Sequence, residues 1–153
     1  MATALSEVFG SGYPMQRGAP ETAYRPSANE EFMSGIQLAY FRQKLLDWKD
    51  DILRESRGTM ASLKSGPIRE ADVTDRASSE TDWSIELRTR DRQRKLIAKI
   101  DSAMRRLYQG EYGYCEVTGD PISLARLNAR PIATMTLEAQ EQHERTEKIS
   151  RDD

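Results

Sequence analysis

The sequence predicts a mostly α-helical protein: a long antiparallel coiled-coil hairpin attached to a small α/β globular base and followed by a C-terminal helix. Three observations predict it. Apolar residues recur at spacings of 3 and 4 in two separate stretches, Leu38, Phe41, Leu45, Trp48 and Ile52, then Ile97, Ile100, Met104 and Leu107. That is the seam of two helices packed lengthwise. Turn residues cluster between Gln109 and Thr134, at Gly110, Gly113, Gly119, Asp120 and Pro121, as a small base requires. Leu, Ile, Val and Phe together make up only 27 of the 153 residues, too few to fill a thick globule.

Residues 1–28 hold Gly10, Gly12, Pro14, Gly18, Pro20 and Pro26 without any sustained period, which predicts a flexible N-terminal arm whose Phe9, Tyr13 and Tyr24 would dock it weakly. The first helix is expected over about 30–63, stopped by Ser65, Gly66 and Pro67, because proline removes a backbone donor and forces its predecessor out of the helical region. The second is expected over about 77–109, with Ser79 and Asp82 as a weak capping box and Gly110 as its end. Pairing Phe41 with Leu107, Leu45 with Met104, Trp48 with Ile100 and Ile52 with Ile97 centres the fold-back near residue 74, in Asp72-Val73-Thr74-Asp75. About 35 residues per arm make a rod of roughly 50 Å. Tyr112 and Tyr114 alternate as in a short hairpin of strands, Leu124 to Asn128 suits one helical turn, and Thr136 caps a last helix with Glu138 in its first turn. The chain is thus expected to divide into an arm (1–28), a hairpin with its tip near 72–77 (29–109), a base (110–136) and a C-terminal helix (137–153).

With 23 Lys+Arg against 25 Asp+Glu and a formal charge of -2, the chain lacks the global basic field of a nucleic-acid-binding protein. Sequence-specific DNA binding is not expected. The longest apolar run, Leu38 to Phe41, is far short of the ~20 residues of a membrane span, so a cytoplasmic monomer is expected. One cysteine and one histidine cannot make an internal disulfide or a His-rich metal site.

Three features bear on chemistry. Asp72 and Asp75 sit at the expected extremity, where a rod could deliver two carboxylates to a metal ion or a basic group; as a plainer alternative they begin the second helix at its positive end. Between Ser84 and Leu107 the second helix carries Arg88, Arg90, Arg92, Arg94, Lys95, Lys99, Arg105 and Arg106 against Glu86, Asp91 and Asp101. That face suits an acidic partner or a phosphorylated ligand, or is a solvated surface laced by pairs such as Asp91 with Lys95. Finally, Cys115, Thr118, Thr136 and Ala139 fall at the spacing of a CxxC, spacer, CxxC zinc ribbon, but three of the four positions lack a thiol. The base is zinc-finger-like without the zinc cysteines, no structural metal is expected, and Cys115 reads as a small packed residue rather than a redox sensor.

Asp72-x-x-Asp75-x-Ala77, Glu86-Leu87-Arg88-x-Arg90-Asp91-Arg92, Arg94-Lys95-Leu96-Ile97, Gly113-Tyr114-Cys115 and Arg126-Leu127-x-Ala129-Arg130-Pro131 together resemble the DnaK-suppressor (DksA/TraR) family of bacterial transcription factors, over roughly residues 33–145. The resemblance implies a regulator, not an enzyme, that binds RNA polymerase through its secondary channel. Asp72, Asp75 and Ala77 would form a tip that alters open-complex stability at ribosomal RNA and biosynthetic promoters. Arg88 and Arg92 would contact the polymerase. Arg92, Leu96, Lys99, Arg130 and Gln140 would match a site for guanosine tetraphosphate (ppGpp), the stringent-response ligand, shared with the polymerase. Gln140 stands where the family often has a basic residue, and the degenerate cysteine set resembles the family's zinc-independent branch. The alternative is a Gre-like transcript-cleavage factor whose tip carboxylates hold Mg2+.

Overall fold

In the computed structural model, residues 24–65 and 73–152 are described. They form α1 (Gly35–Ser65), α2 (Val73–Gln109), α3 (Leu124–Ala129) and α4 (Leu137–Asp152). The chain divides into two compact units, Leu46–Asp101 on the one hand, and the segments up to Leu45 and from Ser102 onward on the other.

Leu46–Asp101 is an antiparallel helix pair. Ile52 and Ile100 are buried on its seam, and Lys49 Nζ reaches Asp101 Oδ1 at 2.6 Å. This pair is centred on residue 75, one beyond the expected midpoint. The helix limits differ from the sequence expectation. α2 starts at Val73, not 77, so residues 73–75 are helical and Ser79 and Asp82 lie inside the helix rather than capping it. The reason is that no Gly or Pro occurs between Pro67 and Gly110, and nothing else breaks the helix. Only Gly66 to Asp72 are left for the connection, and they lie outside the described residues.

In the other unit, α1 starts at Gly35 rather than 30. Met33 has a positive φ of 54°, which no helix tolerates. Ser34 Oγ then accepts from the Gln37 N–H at 3.5 Å and Gln37 Oε1 accepts from the Met33 N–H at 2.9 Å. This is close to a capping box, spelled Ser-x-x-Gln and overlooked in the sequence. Gln37 is fully buried and its amide donates to Ser27 O and Glu30, tying down residues 27–34. Tyr24 also docks: its ring meets Tyr40 edge-on at 6.1 Å and its hydroxyl donates to Glu30. The expected arm therefore ends before Tyr24; Phe9 and Tyr13 lie outside the described residues.

The core of this unit is Phe41, Leu45, Leu107, Tyr112, Ile122 and Leu127, all fully buried. Phe41 and Tyr112 rings lie 5.6 Å apart, and the Tyr112 hydroxyl donates to Pro131 O at 2.7 Å, so its polar end is satisfied. The expected hairpin of strands reduces, among the described residues, to one antiparallel bridge between Tyr114 and Pro121. Pro121 has no N–H with which to extend a ladder, and Gly113 and Gly119, at φ of 88° and 76°, close a tight turn around Cys115. Ser123 Oγ caps α3 through the Arg126 N–H at 3.3 Å. Thr136 caps α4 as expected, its hydroxyl accepting from the Ala139 N–H at 3.3 Å.

Candidate functional site

The basic face of α2 divides into three groups once its side chains are placed. Arg88, Arg92, Leu96 and Lys99 recur at spacings of 4, 4 and 3, which puts them on one side of the helix. Arg88, Arg92 and Lys99 are exposed and Leu96 is partly covered. A second group is internally neutralised: Arg90 Nε pairs with Glu86 at 3.2 Å and Lys95 with Asp91 at 2.8 Å. The Lys95 ammonium and its hydrogen bond hold the Asp91 carboxyl below its usual range. The third is Arg106, which the sequence placed on the same face. It is buried, and its Nη2 donates to Glu111 O at 3.2 Å and Tyr114 O at 2.6 Å. Arg106 belongs to the base, a role that exposure alone reveals.

Of the expected tip residues, Asp72 lies outside the described residues. Asp75 and Ala77 fall within the first turns of α2, and only their backbone is described. Asp75 is the third helical residue, where a carboxylate favours helix initiation.

The remaining nucleotide-site candidates lie in the base unit. Arg130 is exposed and follows α3, its N–H donating to Arg126 O at 2.7 Å. Gln140 is engaged on both ends of its amide. Its oxygen accepts from Arg126 Nη2, and its nitrogen donates to Glu144 at 2.9 Å. Arg126 Nε in turn donates to Met135 O at 3.0 Å, so Gln140 is one link in a chain that fixes α4 against the segment before it.

Two of the zinc-ribbon positions, Thr118 and Thr136, lie against the Cys115 sulfur. Burial pushes the Cys115 thiol up, but hydrogen bonds from the Thr118 side chain and from the backbone of Thr118, Thr136 and Val117 outweigh it and bring the pKa down to about 6. Cys115 and Ala139 are buried. A donor set of one thiol, two threonine hydroxyls and an alanine does not fit tetrahedral zinc, and Thr136 Oγ1 is already occupied as a helix cap. Among the described residues there is no cluster of three or more His, Cys, Asp or Glu able to hold a metal ion.

Residues 37–107 match the family described as DnaK suppressor protein DksA, N-terminal domain, and residues 110–145 match the prokaryotic dksA/traR C4-type zinc finger. A protein of Caulobacter vibrioides named RNA polymerase-binding transcription factor DksA is 65% identical over 130 residues, covering 85% of this chain and 92% of that protein. This chain belongs to the DksA family. A relative of the same name from Escherichia coli is 37% identical over 115 residues, 75% of this chain and 76% of its own length. The solved structure of transcription factor DksA2 from Pseudomonas aeruginosa superposes with a TM-score of 0.71 at 38% identity, over 79% of this chain and 95% of that one. Against a DksA-type C4 finger, this chain retains Cys115 alone.

Proposed function

We propose that this chain binds RNA polymerase and regulates transcription without carrying out catalysis of its own. The reading rests chiefly on the 65% identity, across 92% of its length, to a protein named RNA polymerase-binding transcription factor DksA. The helix pair enters the polymerase secondary channel tip first, and Asp72, Asp75 and Ala77 act on the catalytic end to change open-complex stability at ribosomal RNA and biosynthetic promoters. The exposed Arg88 and Arg92 supply fixed positive charge to the acidic rim, where guanidinium forks pair well with carboxylates. The protein works in the cytoplasm as a monomer. Among the described residues, no helix is long and apolar enough to cross a membrane.

ppGpp is a ligand shared with the polymerase, a reading carried by the resemblance of Arg92, Leu96, Lys99 and Arg130 to the family's positions for it. Gln140 contributes as a positioning residue rather than a phosphate ligand, because Arg126 and Glu144 engage its amide. The base holds together without zinc, consistent with a donor set that cannot ligate it.

Asp75→Asn tests the reading. The expected outcome is near-wild-type affinity for core polymerase with promoter regulation abolished in run-off transcription from a ribosomal promoter, with and without ppGpp. Lost affinity would make the tip an anchor, and shortening of labelled RNA in a stalled complex would make the protein a cleavage factor; either overturns the proposal.

A further inference from the structure

α3 spans only Leu124–Ala129, too short to persist on its own ladder, so neighbours set the path of Arg130 directly after it. Two side chains of α1 act at its last turn. Tyr40 and Lys44, four residues apart on one face of that helix, both reach Asn128. The Tyr40 hydroxyl donates to Asn128 Oδ1 at 2.9 Å, and Lys44 Nζ donates to Asn128 O at 2.7 Å and to Oδ1 at 3.2 Å. The Lys44 ammonium also lies 5.7 Å from the centroid of the Tyr40 ring, a favourable cation–π placement that steadies both donors. A carbonyl in the last turn of a helix has no partner within the helix, so this contact closes the end of α3. Beyond it the chain is held again. Arg130 O accepts from the Ala133 N–H at 3.0 Å, and Pro131 O accepts from the buried Tyr112 hydroxyl at 2.7 Å. All of these residues lie in one compact unit. The backbone at 130 is therefore fixed from both sides, while the Arg130 side chain is exposed and makes no hydrogen bond or ion pair among the described residues. A fixed backbone beneath an unengaged guanidinium is the arrangement of a pre-organised ligand group.

We propose that Tyr40 and Lys44 are positioning residues for the nucleotide: through Asn128 they hold Arg130 ready for a phosphate of ppGpp. The step rests on ppGpp being a ligand shared with the polymerase, as proposed above. Lys44 acts through residues 128–130 rather than on the ligand, because its ammonium is committed to the two oxygens of Asn128. Without it the Asn128 carbonyl loses its partner, the last turn of α3 frays, and Arg130 samples a wider set of positions. The nucleotide must then order that arginine on binding, at a cost in affinity. Contact between polymerase and the exposed Arg88 and Arg92 of α2 is made by another unit of the chain, so polymerase affinity does not depend on this brace.

The test measures the binding of radiolabelled ppGpp gained when the full chain is added to core RNA polymerase, alongside the affinity of the chain for polymerase itself. Lys44→Met keeps the apolar stem and removes the ammonium. It should weaken ppGpp binding at least about fivefold, roughly 1 kcal/mol, with polymerase affinity within about twofold of the parent's and an unchanged helix signal in circular dichroism. Tyr40→Phe retains the ring against Phe41 and removes only the hydroxyl, so it should give a smaller loss in the same direction. Lys44→Arg, which returns a donor to Asn128, should recover most of the affinity. Because Lys44 acts through Arg130, adding Lys44→Met to Arg130→Gln should weaken ppGpp binding no further than Arg130→Gln alone. Parental ppGpp binding in Lys44→Met overturns the positioning role and leaves the shared ligand standing. Losses that multiply in the double variant overturn it as well, since Lys44 would then act independently of Arg130. A fall in polymerase affinity as large as the fall in ppGpp affinity also overturns it, by making the contact purely structural. If the unaltered chain adds no ppGpp binding to polymerase, the shared-ligand reading fails and the positioning role with it.

Discussion

Replacing Arg106 by Met removes the side chain that joins the end of α2 to the turn around Cys115. Arg106 Nη2 donates to Tyr114 O at 2.6 Å and to Glu111 O at 3.2 Å, and Nη1 lies 3.6 Å from Glu116. The Glu116 carboxylate is half exposed, so that ion pair adds little. Glu111 is exposed, and its carbonyl can recover water when the arginine is gone. The Tyr114 carbonyl sits against the buried guanidinium and loses a short, charge-assisted bond. A bond of that class contributes roughly 1.5–3 kcal/mol and a partly covered orphan carbonyl adds to it, so the expected loss is about 3 kcal/mol. For a chain of this length that lowers Tm by roughly 6–12 °C, read by circular dichroism at 222 nm in a thermal ramp. Arg106→Lys should recover less than half, because one ammonium cannot hold two divergent carbonyls. A loss under about 0.5 kcal/mol, the size of an ordinary surface substitution, would refute the view that this residue fastens the base.

Cys115 should titrate near 6, measured as thiolate absorbance at 240 nm, against an ordinary value of 9.0. Because the folded value is depressed, the associated stabilisation is present in full above pH 9 and declines as pH falls through 6. A titration midpoint above 8 would show that burial outweighs the hydrogen bonds. Prolonged dialysis against a strong chelator should leave the thermal midpoint and the mobility in size exclusion unchanged, and a lowered midpoint would reveal a structural metal. Gly113→Ala should destabilise by about 1 kcal/mol or more, since φ is 88° and a Cβ would lie 2.9 Å from Cγ, Sδ and Cε of Met33; a Tm equal to the parent's would show that Met33 and the turn move aside freely.

The antiparallel pairing and its register were legible because period is a strong signal: Phe41, Leu45, Ile52, Ile100 and Leu107 were named on the seam and are buried. Both Arg42 with Tyr108 and Lys49 with Asp101 are centred one residue from the expected midpoint. Caps with a hydroxyl directly before the helix, Ser123 and Thr136, suited the sequence pattern; Thr136 was read from it. The start of α1 is only partly legible: Ser34 and Gln37 spell a capping box, but the left-handed Met33 that sets the boundary has no marker in residue type. Arg106 was misassigned because composition counts charges without regard to where a side chain points. The engagement of Gln140 by Arg126 depends on three-dimensional neighbours, and nothing in its spacing announces it.

Without a metal, as proposed above, the base meets a specific physical difficulty, since a small zinc finger draws on the order of 10–16 kcal/mol from its metal. No single contact replaces that, but several of the features described act on the same few residues. Backbone N–H groups that surround the Cys115 sulfur, from Val117, Thr118 and Thr136, satisfy the site from within. Tyr112 fills the centre and bonds Pro131, and Phe41 of α1 packs against it. Phe32 covers Tyr114 at 5.4 Å, and Met33 seats over Gly113, so the segment before α1 closes the turn from outside while Arg106 holds it from within. These contacts come from stretches far apart in sequence, which makes the closure cooperative. They explain how a chain with one cysteine can keep the shape for which its C4-type relatives are named, and why the segment from Tyr24 to Ser34 belongs to the base rather than to the arm.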